Sequence, residues 1–298
     1  KIAIDTLHKG DCLELLPKIA DGTVNMVLVD LPYGEIDCKW DTKIDLSRMW
    51  TQLKRIGKPN CIYAFFCSSR FGCDIINSNP SWYAYDIVWH KTQPVGFLNS
   101  KVCPLRAHEM IYIFKRKNKP KGCKSVYHPQ LTKGDPYNRI HPEGKTFTKV
   151  KNEDEQVYRH RETSKRINNI NEGFRYPTSV LPMKKERNTG HVTEKPVALC
   201  EWLIKTYTNP EDVVLDFCMG SGTTCVAALN TFRHYIGIEM DDKWFNYSSD
   251  RIKNTTTPTI NQTENVIINN DTLVDLVESI TILSEDETPL EVINDDLE

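Results

Sequence analysis

Residues 213–224 read VVLDFCMGSGTT, and the expected fold class follows from this order of residues. The first part, Val213–Phe217, is a short apolar run of the kind found in strands that are buried on both faces of a parallel sheet. The glycines that follow allow a tight turn close to a ligand, and a helical pattern, Thr223–Asn230, begins directly after them. Strand, glycine loop and helix in this order indicate an α/β fold that binds a ligand at the carboxyl end of the strand.

Similar apolar runs recur along the chain. We predict further strands at Val24–Asp30, Cys61–Phe66, Tyr85–Trp89, Met110–Phe114 and Tyr235–Glu239. Amphipathic patterns predict further helices at Cys12–Ile19, Leu46–Ile56, Pro196–Thr206 and Lys243–Ile252. The alternation predicts a doubly wound, mostly parallel sheet with helices on both faces. Only a loop separates the third and fourth of these strands, so we expect those two to form an antiparallel pair at the sheet edge.

Two acidic residues are expected near the glycine loop, because each lies at the end of a predicted strand on the same side of the sheet. Glu239 closes the next strand, 17 residues after Gly222, where a carboxylate commonly binds the ribose hydroxyls of an adenosine-containing cofactor. The loop lacks the third glycine of a dinucleotide site and the Gly-Lys-Ser/Thr of a phosphate loop. Asp216, just before the loop, favours a ligand with a positive amino group, such as S-adenosylmethionine. A purely structural turn is the alternative.

A second group of chemically useful residues, Asp30-Leu31-Pro32-Tyr33-Gly34, closes the strand Val24–Asp30. Asp30 can accept one N–H of an exocyclic amine, the Leu31 carbonyl can accept the other, and Tyr33 can stack on the base. In isolation, the same residues also suit a surface turn without chemistry.

Taken together, these residues resemble a known family. Asp30–Gly34 is similar to the Asp-Pro-Pro-Tyr box of the amino-methylating DNA methyltransferases, and Asp216–Thr224 is similar to their S-adenosylmethionine loop. His191–Pro196 (HVTEKP) resembles their His-Pro-Thr-x-Lys-Pro segment, and Lys9–Cys12 resembles the Gly-Asp turn beside the cofactor adenine. The order resembles the β group, which has a circularly permuted Rossmann-like methyltransferase fold. The resemblance covers about residues 1–253, with Leu31 and Val192 in place of prolines.

The resemblance implies methyl transfer from S-adenosylmethionine to adenine N6 in double-stranded DNA, with the target base flipped out and with no metal. The implied catalytic residues are Asp30, Leu31, Pro32 and Tyr33. The implied cofactor-binding residues are Asp11, Cys12, Lys195, Asp216, Phe217, Gly220, Ser221, Gly222, Thr223 and Glu239. Asp instead of Ser at position 30 favours adenine, while methylation of cytosine N4 or of RNA stays open.

The charge is distributed unevenly. The formal net charge of the chain is −2, but residues 101–195 carry 22 basic and 10 acidic side chains, and residues 255–298 carry 11 acidic and no basic ones. The basic middle suits DNA phosphates, although a solvated charge run is the simpler alternative. The candidate DNA-binding residues are Arg106, Lys115, Arg116, Lys117, Arg159 and Arg161. Arg166 and Arg175, with Asn168, Asn169 and Asn171, are further candidates for reading base edges.

These patterns predict four regions. Residues 1–114 form the catalytic half of the methyltransferase domain, 115–190 an inserted target-recognition region, 191–254 the cofactor-binding half and 255–298 a disordered acidic tail. The tail is either a solvated appendage or a lid that competes with DNA for the basic region.

Other features limit the remaining possibilities. The ten scattered cysteines without Cys-x-x-Cys indicate reduced thiols in a cytoplasm, and no apolar run is long enough to span a membrane. A nicotinamide-dependent oxidoreductase and a catalytically inactive DNA-binding module are the competing classes. A homodimer and an accompanying restriction nuclease, as in restriction-modification systems, are left open.

Overall fold

The structure is a computed structural model that describes residues 1–34, 42–139, 169–185 and 194–255. These residues belong to one compact unit. The strands, numbered in chain order, are β1 (Thr6–Lys9), β2 (Val24–Asp30), β3 (Gly57–Cys67), β4 (Tyr83–Val95), β5 (Arg106–Lys115), β6 (Thr132–Lys133), β7 (Tyr137–Arg139), β8 (Asn169–Asn171), β9 (Phe174–Arg175), β10 (Val180–Met183), β11 (Val213–Asp216) and β12 (His234–Glu239). The helices are α1 (Cys12–Leu15), α2 (Leu46–Ile56), α3 (Ser69–Ser78), α4 (Val197–Tyr207), α5 (Thr223–Asn230) and α6 (Asp242–Lys253).

Among the described residues, eight strands form one sheet in the order β1-β12-β11-β2-β3-β5-β4-β10. Strand β5 runs antiparallel to both of its neighbours, and the other pairings are parallel. Strands β11 and β2 are adjacent in the sheet although about 180 residues separate them in sequence, which is the permuted order that the resemblance implies. The fold class predicted from the sequence is confirmed.

The hydrophobic core has two layers, one on each face of the sheet. In β3, Tyr63 and Phe65 pack on one face with α2 and α3, whereas Ile62, Ala64 and Phe66 pack on the other face with α4 and α5. Alternate residues of a strand point to opposite faces, so a strand covered on both sides needs apolar residues at every position. This packing explains the continuous apolar runs of the sequence.

The structure corrects one detail of the predicted sheet. Strands β4 and β5 are antiparallel as expected, but they are not at the edge, because β10 pairs in parallel with β4. Strand β10 has only four residues and includes Pro182, which an edge strand tolerates since no neighbour requires its N–H. A run this short carries no periodic signal. The two remaining sheets are small: β6 pairs with β9, and β7 pairs with β8.

Candidate active site

The carboxyl ends of the parallel strands surround a cavity of about 600 Å³. The sequence-predicted residues that line it are Asp11, Cys12, Asp30, Leu31, Pro32, Tyr33, Arg106, Lys195, Asp216, Phe217, Gly220, Ser221, Thr223 and Glu239. Gly222 does not line the cavity, but it has a packing role: a Cβ at this position would lie 2.9 Å from the Cβ of Ser248 on α6. Residues that lie about 200 positions apart in the sequence therefore meet in one cavity.

Glycine conformations shape the loop between β11 and α5. Gly220 and Gly222 have φ angles of +49° and +78°, in the left-handed region that favours glycine. The N–H of Gly222 donates to the Met219 carbonyl over 2.8 Å, and Gly222 is the residue from which α5 begins. The loop therefore leads directly into the first turn of α5, where Thr223 faces the cavity.

Asp216 ends β11 as a buried carboxylate. Burial raises the pKa of Asp216 to about 7, although hydrogen bonds from Thr224 and from the Cys218 N–H, the latter over 3.1 Å, favour its ionised form. No ion pair reaches it in the described part of the chain. A buried carboxylate in this state fits a ligand that brings a positive charge into the cavity.

Glu239 ends β12 and holds the glycine loop from the other side. Its two carboxylate oxygens accept the Gly220 N–H over 2.9 Å and the Asp241 N–H over 2.8 Å. Burial is the largest cause of its raised pKa. Each carboxylate oxygen can accept a second hydrogen bond, so the side chain can also bind a pair of hydroxyl groups.

Asp11 and Cys12 lie where β1 leads into α1. Asp11 caps α1 by accepting the Leu13 N–H over 2.7 Å, and the preceding Gly10 donates its N–H to the Glu239 carbonyl over 2.9 Å. The Cys12 thiol contacts the thiol of Cys218 in the glycine loop, and this contact is the largest cause of the lowered pKa of Cys12. The turn after β1 is thereby attached to the end of β12 and to the glycine loop.

On the other side of the cavity, the Asp30 box is held by side chains. The Tyr33 hydroxyl donates to Asp30 Oδ1 over 2.5 Å, and the Tyr33 ring packs against Phe71 with 5.3 Å between ring centroids. Burial, followed by the charge of Asp30, raises the pKa of Tyr33 far above its ordinary value, so its hydroxyl keeps its proton. The ring and the carboxylate are thus fixed relative to each other.

A chain of ion pairs with buried lysines and half-buried carboxylates continues from Asp30. Lys195 Nζ pairs with Asp30 Oδ2 and lies 3.4 Å from Glu109 Oε2, while Lys91 pairs with Glu109 Oε1. Burial alone would lower the pKa of Lys195, but Asp30 and Glu109 outweigh it and raise the pKa above its usual range. Burial alone would likewise raise the pKa of Glu109, but the two lysines lower it. The chain alternates in sign, so each of its charges is balanced.

This chain of ion pairs changes the interpretation of Lys195. The resemblance assigns Lys195 to the cofactor pocket, but the structure shows its ammonium group on the carboxylate of Asp30. Lys91 and Glu109 are not predicted from the sequence, since both lie inside strands whose pairing is invisible in a single sequence. The neighbouring Glu194, also missed, is buried, pairs with Arg251 of α6 and accepts a hydrogen bond from Thr223 over 3.1 Å. Residues 191–193 lie outside the described residues.

The structure separates the candidate DNA-binding residues. Arg106 lies at the cavity, at the start of β5. Lys115 lies at the other end of β5, opposite Ile62 of β3. It is therefore at the end of the sheet opposite the cavity, and Arg116 and Lys117 follow it. Five residues from Met110 to Lys115 span roughly 17 Å at about 3.4 Å per residue. The prediction that residues 115–117 bind DNA is untested, but they do not join the cavity.

Several of these basic side chains are engaged within the protein. Arg116 donates to the Lys54 carbonyl over 2.8 Å and lies 5.4 Å above the Trp82 ring. Arg175 bonds Asn171 and the Asp135 carbonyl and lies 4.7 Å above the Tyr137 ring, so in this conformation it connects the small sheets. Arg159, Arg161, Arg166 and Asn168 lie outside the described residues, as does the tail from residue 256.

In the part of the chain that the structure describes, no helix combines the length and the apolar character that a membrane span requires. In the same ranges, no group of three or more His, Cys, Asp or Glu side chains is arranged to hold a metal ion.

The fold and the cavity define a Rossmann-like protein of the methyltransferase type, and comparisons with known proteins agree. The chain matches the DNA methylase family, which unites N6 and N4 amino-methyltransferases, over residues 24–250. It is 27% identical to the type II methyltransferase M.HinfI of Haemophilus influenzae, over 84% of this chain and 68% of the relative. It is 23% identical to the type II methyltransferase M1.MboII of Moraxella bovis, over 83% of this chain and 96% of the relative.

Solved structures share the fold. The M1.HpyAVI–SAM complex superimposes with a TM-score of 0.55 at 23% identity, covering 83% of this chain and 98% of the other. The cytosine-N4-specific PvuII DNA methyltransferase gives a TM-score of 0.55 at 16% identity, covering 94% and 93%. The family match extends over most of this chain, and this chain belongs to the DNA methylase family, as an amino-methylating DNA methyltransferase.

Proposed function

We propose that this protein methylates adenine N6 in double-stranded DNA, with S-adenosylmethionine as the methyl donor. One observation carries the proposal. The Asp30 box, which suits an exocyclic amine, and the Asp216 loop, which suits a cationic adenosine derivative, line the same cavity. They do so because β2 and β11 are adjacent parallel strands whose carboxyl ends meet at one edge of the sheet.

The residues of the donor half fit this ligand. Asp216 is buried and has a raised pKa, so it gains from a positive amino group nearby. Glu239 has acceptor capacity left for ribose hydroxyls, and Asp11 and Cys12 form the neighbouring wall. When bound, S-adenosylmethionine supplies a methyl group that its sulfonium charge makes electrophilic.

The residues of the acceptor half orient the target amine. The lone pair of adenine N6 is delocalised into the ring, so the amine is a weak nucleophile. Hydrogen bonds from its two N–H groups to Asp30 and to the Leu31 carbonyl favour a tetrahedral nitrogen whose lone pair points out of the ring plane. The rate acceleration then comes from orientation and electrostatics: the new N–CH3 bond would form as the S–CH3 bond breaks and S-adenosylhomocysteine leaves, and Asp30, bonded to the nitrogen, would accept the proton that N6 loses.

The target must leave the duplex to reach Asp30. Flipping a nucleotide costs a few kcal/mol of pairing and stacking. Tyr33 replaces part of the lost stacking, because stacking of a base on an aromatic side chain contributes about 1–3 kcal/mol. Phe71 behind the Tyr33 ring and the Tyr33–Asp30 hydrogen bond fix this surface before the base arrives.

Tritium transfer tests the proposal. Plasmid DNA from a methylation-deficient host is incubated with the full chain and methyl-labelled S-adenosylmethionine, then digested to nucleosides. We expect the label in N6-methyldeoxyadenosine, and no label with the Asp30→Ala variant. Label in a cytosine nucleoside, or wild-type protein that labels RNA and not DNA, contradicts the proposal.

Cytosine N4 is the second candidate. The fold does not discriminate, since the cytosine-N4-specific PvuII enzyme superimposes as well as M1.HpyAVI. Asp at position 30 supports adenine, on the family resemblance. An accompanying restriction nuclease and a homodimer both stay predictions.

A further inference from the structure

An exposed apolar loop stands beside the cavity. Residues 96–105, here called the rim loop, connect β4 to β5. The exposed fractions of Phe97, Leu98 and Val102 are 79%, 98% and 88%. Three large apolar side chains within six residues form a patch of the kind that marks an interaction site.

The rim loop projects from the same sheet edge as the cavity. Cys67, the last residue of β3, pairs with Met110, but β4 and β5 continue together to the pair Val95–Arg106. Four residues at about 3.4 Å each carry this hairpin roughly 14 Å beyond the end of β3. Arg106, at the base of the loop, lines the cavity. The apolar tip therefore lies at the cavity rim.

Local hydrogen bonds give the loop a defined shape. The Asn99 N–H donates to the Gly96 carbonyl and the Ser100 N–H to the Phe97 carbonyl, which closes a short 3₁₀ turn. The Asn99 carbonyl then accepts the N–H groups of Val102 and Cys103, both over 2.9 Å. The apolar side chains are thus presented by an ordered turn.

The charges around the tip select the partner. The charged residues of the rim loop and its base are Lys101 and Arg106, whereas Lys91, farther back in β4, pairs with Glu109 and adds no net charge. A positive surround favours a polyanion and disfavours a second copy of the same loop, because like charges would meet. Cations beside an apolar tip match duplex DNA, in which phosphates border the apolar faces of stacked bases.

We propose that Phe97 and Leu98 enter the base stack of the target DNA and fill the space left by the extruded nucleotide. The inference rests on the proposed function, which requires extrusion. Removal of one base exposes the faces of its two neighbours, and apolar side chains that fill the gap withdraw both surfaces from water. Lys101 and Arg106 then contact phosphates beside the gap.

A double variant, Phe97→Ser/Leu98→Ser, tests the inference. Both side chains are exposed, so the fold does not depend on them. The modified site is first located by sequencing plasmid that the wild-type chain has methylated. Two oligonucleotide duplexes then carry that site: one has 2-aminopurine at the target position and reports extrusion by fluorescence, and one has an abasic position opposite the target adenine. The matched control is Ile4→Ser. Ile4 is an exposed apolar residue just before β1, which is the edge strand farthest from β10 in the main sheet.

We expect the double variant to bind S-adenosylmethionine as the wild type does, to lose most of the fluorescence rise and to methylate the intact duplex at least tenfold more slowly. On the abasic duplex the methylation rate of the double variant should come within threefold of the wild-type rate, because an unpaired base leaves the stack more easily. Wild-type fluorescence and rate in the double variant overturn the inference while leaving the proposed function standing. An equal deficit on both duplexes, or a change from dimer to monomer with extrusion intact, also overturns it. A wild-type chain that methylates no DNA refutes the proposed function instead.

Discussion

Asp30 and Asp216 end adjacent parallel strands and line the same cavity, but their surroundings are electrostatically opposite. Asp30 pairs with Lys195 and accepts the Tyr33 hydroxyl, and Lys195 in turn contacts Glu109. Asp216 is buried without an ion pair in the described part of the chain, and its pKa rises to about 7. An acid that already has a cation is suited to orient a neutral amine, whereas an acid without one is suited to a cationic ligand. The difference supports the proposed division of the cavity into an acceptor half and a donor half.

Asp30→Ala should have the largest effect. The variant removes the carboxylate that orients the amine, so methyl transfer should fall at least 100-fold, in line with the loss of a transition-state hydrogen-bonding group. The affinity for S-adenosylmethionine, measured by equilibrium dialysis, should stay within about threefold. An equal loss of cofactor binding would break the division between the two halves.

Lys195→Met makes the surroundings of Asp30 resemble those of Asp216. Removing this cation leaves Asp30 without an ion pair while Glu109 keeps Lys91, so we expect kcat to fall about 10- to 100-fold, with cofactor affinity nearly unchanged. Lys195→Arg should recover part of kcat, and thermal unfolding checks that both variants fold. If the loss instead disappears at saturating cofactor, Lys195 acts in the donor half, as the sequence resemblance alone implies.

Glu239→Gln should affect the donor half alone. The amide keeps the shape, but one of the two acceptor oxygens becomes an NH2 donor, so the side chain can accept from only one of the Gly220 and Asp241 N–H groups and has less acceptor capacity for ribose hydroxyls. Hydrogen bonds to charged groups contribute about 1.5–3 kcal/mol, so affinity for S-adenosylmethionine should fall roughly 10-fold or more. The rate at saturating cofactor should recover; a persistent loss of kcat would count against the assignment.

The smallest effects concern basic residues. Arg106→Ala should raise the KM for duplex DNA several-fold, because Arg106 lies at the cavity.

Lys115→Ala/Lys117→Ala changes residues at the end of the sheet opposite the cavity and should leave kcat unchanged. If these lysines contact two phosphates, the slope of log affinity against log salt changes by about 1.8. A larger effect of the lysine pair on methylation would place the DNA path across that end of the sheet.

The strand ends that carry Asp30, Asp216 and Glu239 could be predicted from the sequence. A buried parallel strand needs an unbroken apolar run, and a polar residue that closes such a run marks the strand's carboxyl end, where ligands bind. Those strands and the helices Leu46–Ile56 and Thr223–Asn230 are confirmed.

Other parts of the structure could not be predicted, for physical reasons. Strand β1 (TLHK) is a short, half-exposed edge strand without a periodic pattern. Lys91 meets Glu109 only because β4 and β5 pair along a long register, which sequence spacing does not reveal. The basic run from Lys115 lies at the end of the sheet opposite the cavity because β5 alone runs antiparallel in the main sheet, within the described residues. Composition identifies such charges but gives no strand direction.

Proton release on cofactor binding tests the assignment of the two carboxylates most directly. Titration calorimetry of S-adenosylmethionine binding at pH 6–7, in buffers of different ionisation enthalpy, counts the protons released. Asp216, with a pKa of about 7 in the free protein, is partly protonated there and must ionise to pair with a cation, so affinity should rise with pH up to about 7. We predict release of a fraction of a proton by the wild type and by Asp30→Asn, and none by Asp216→Asn. Release that vanishes in Asp30→Asn, or persists in Asp216→Asn, would contradict the account.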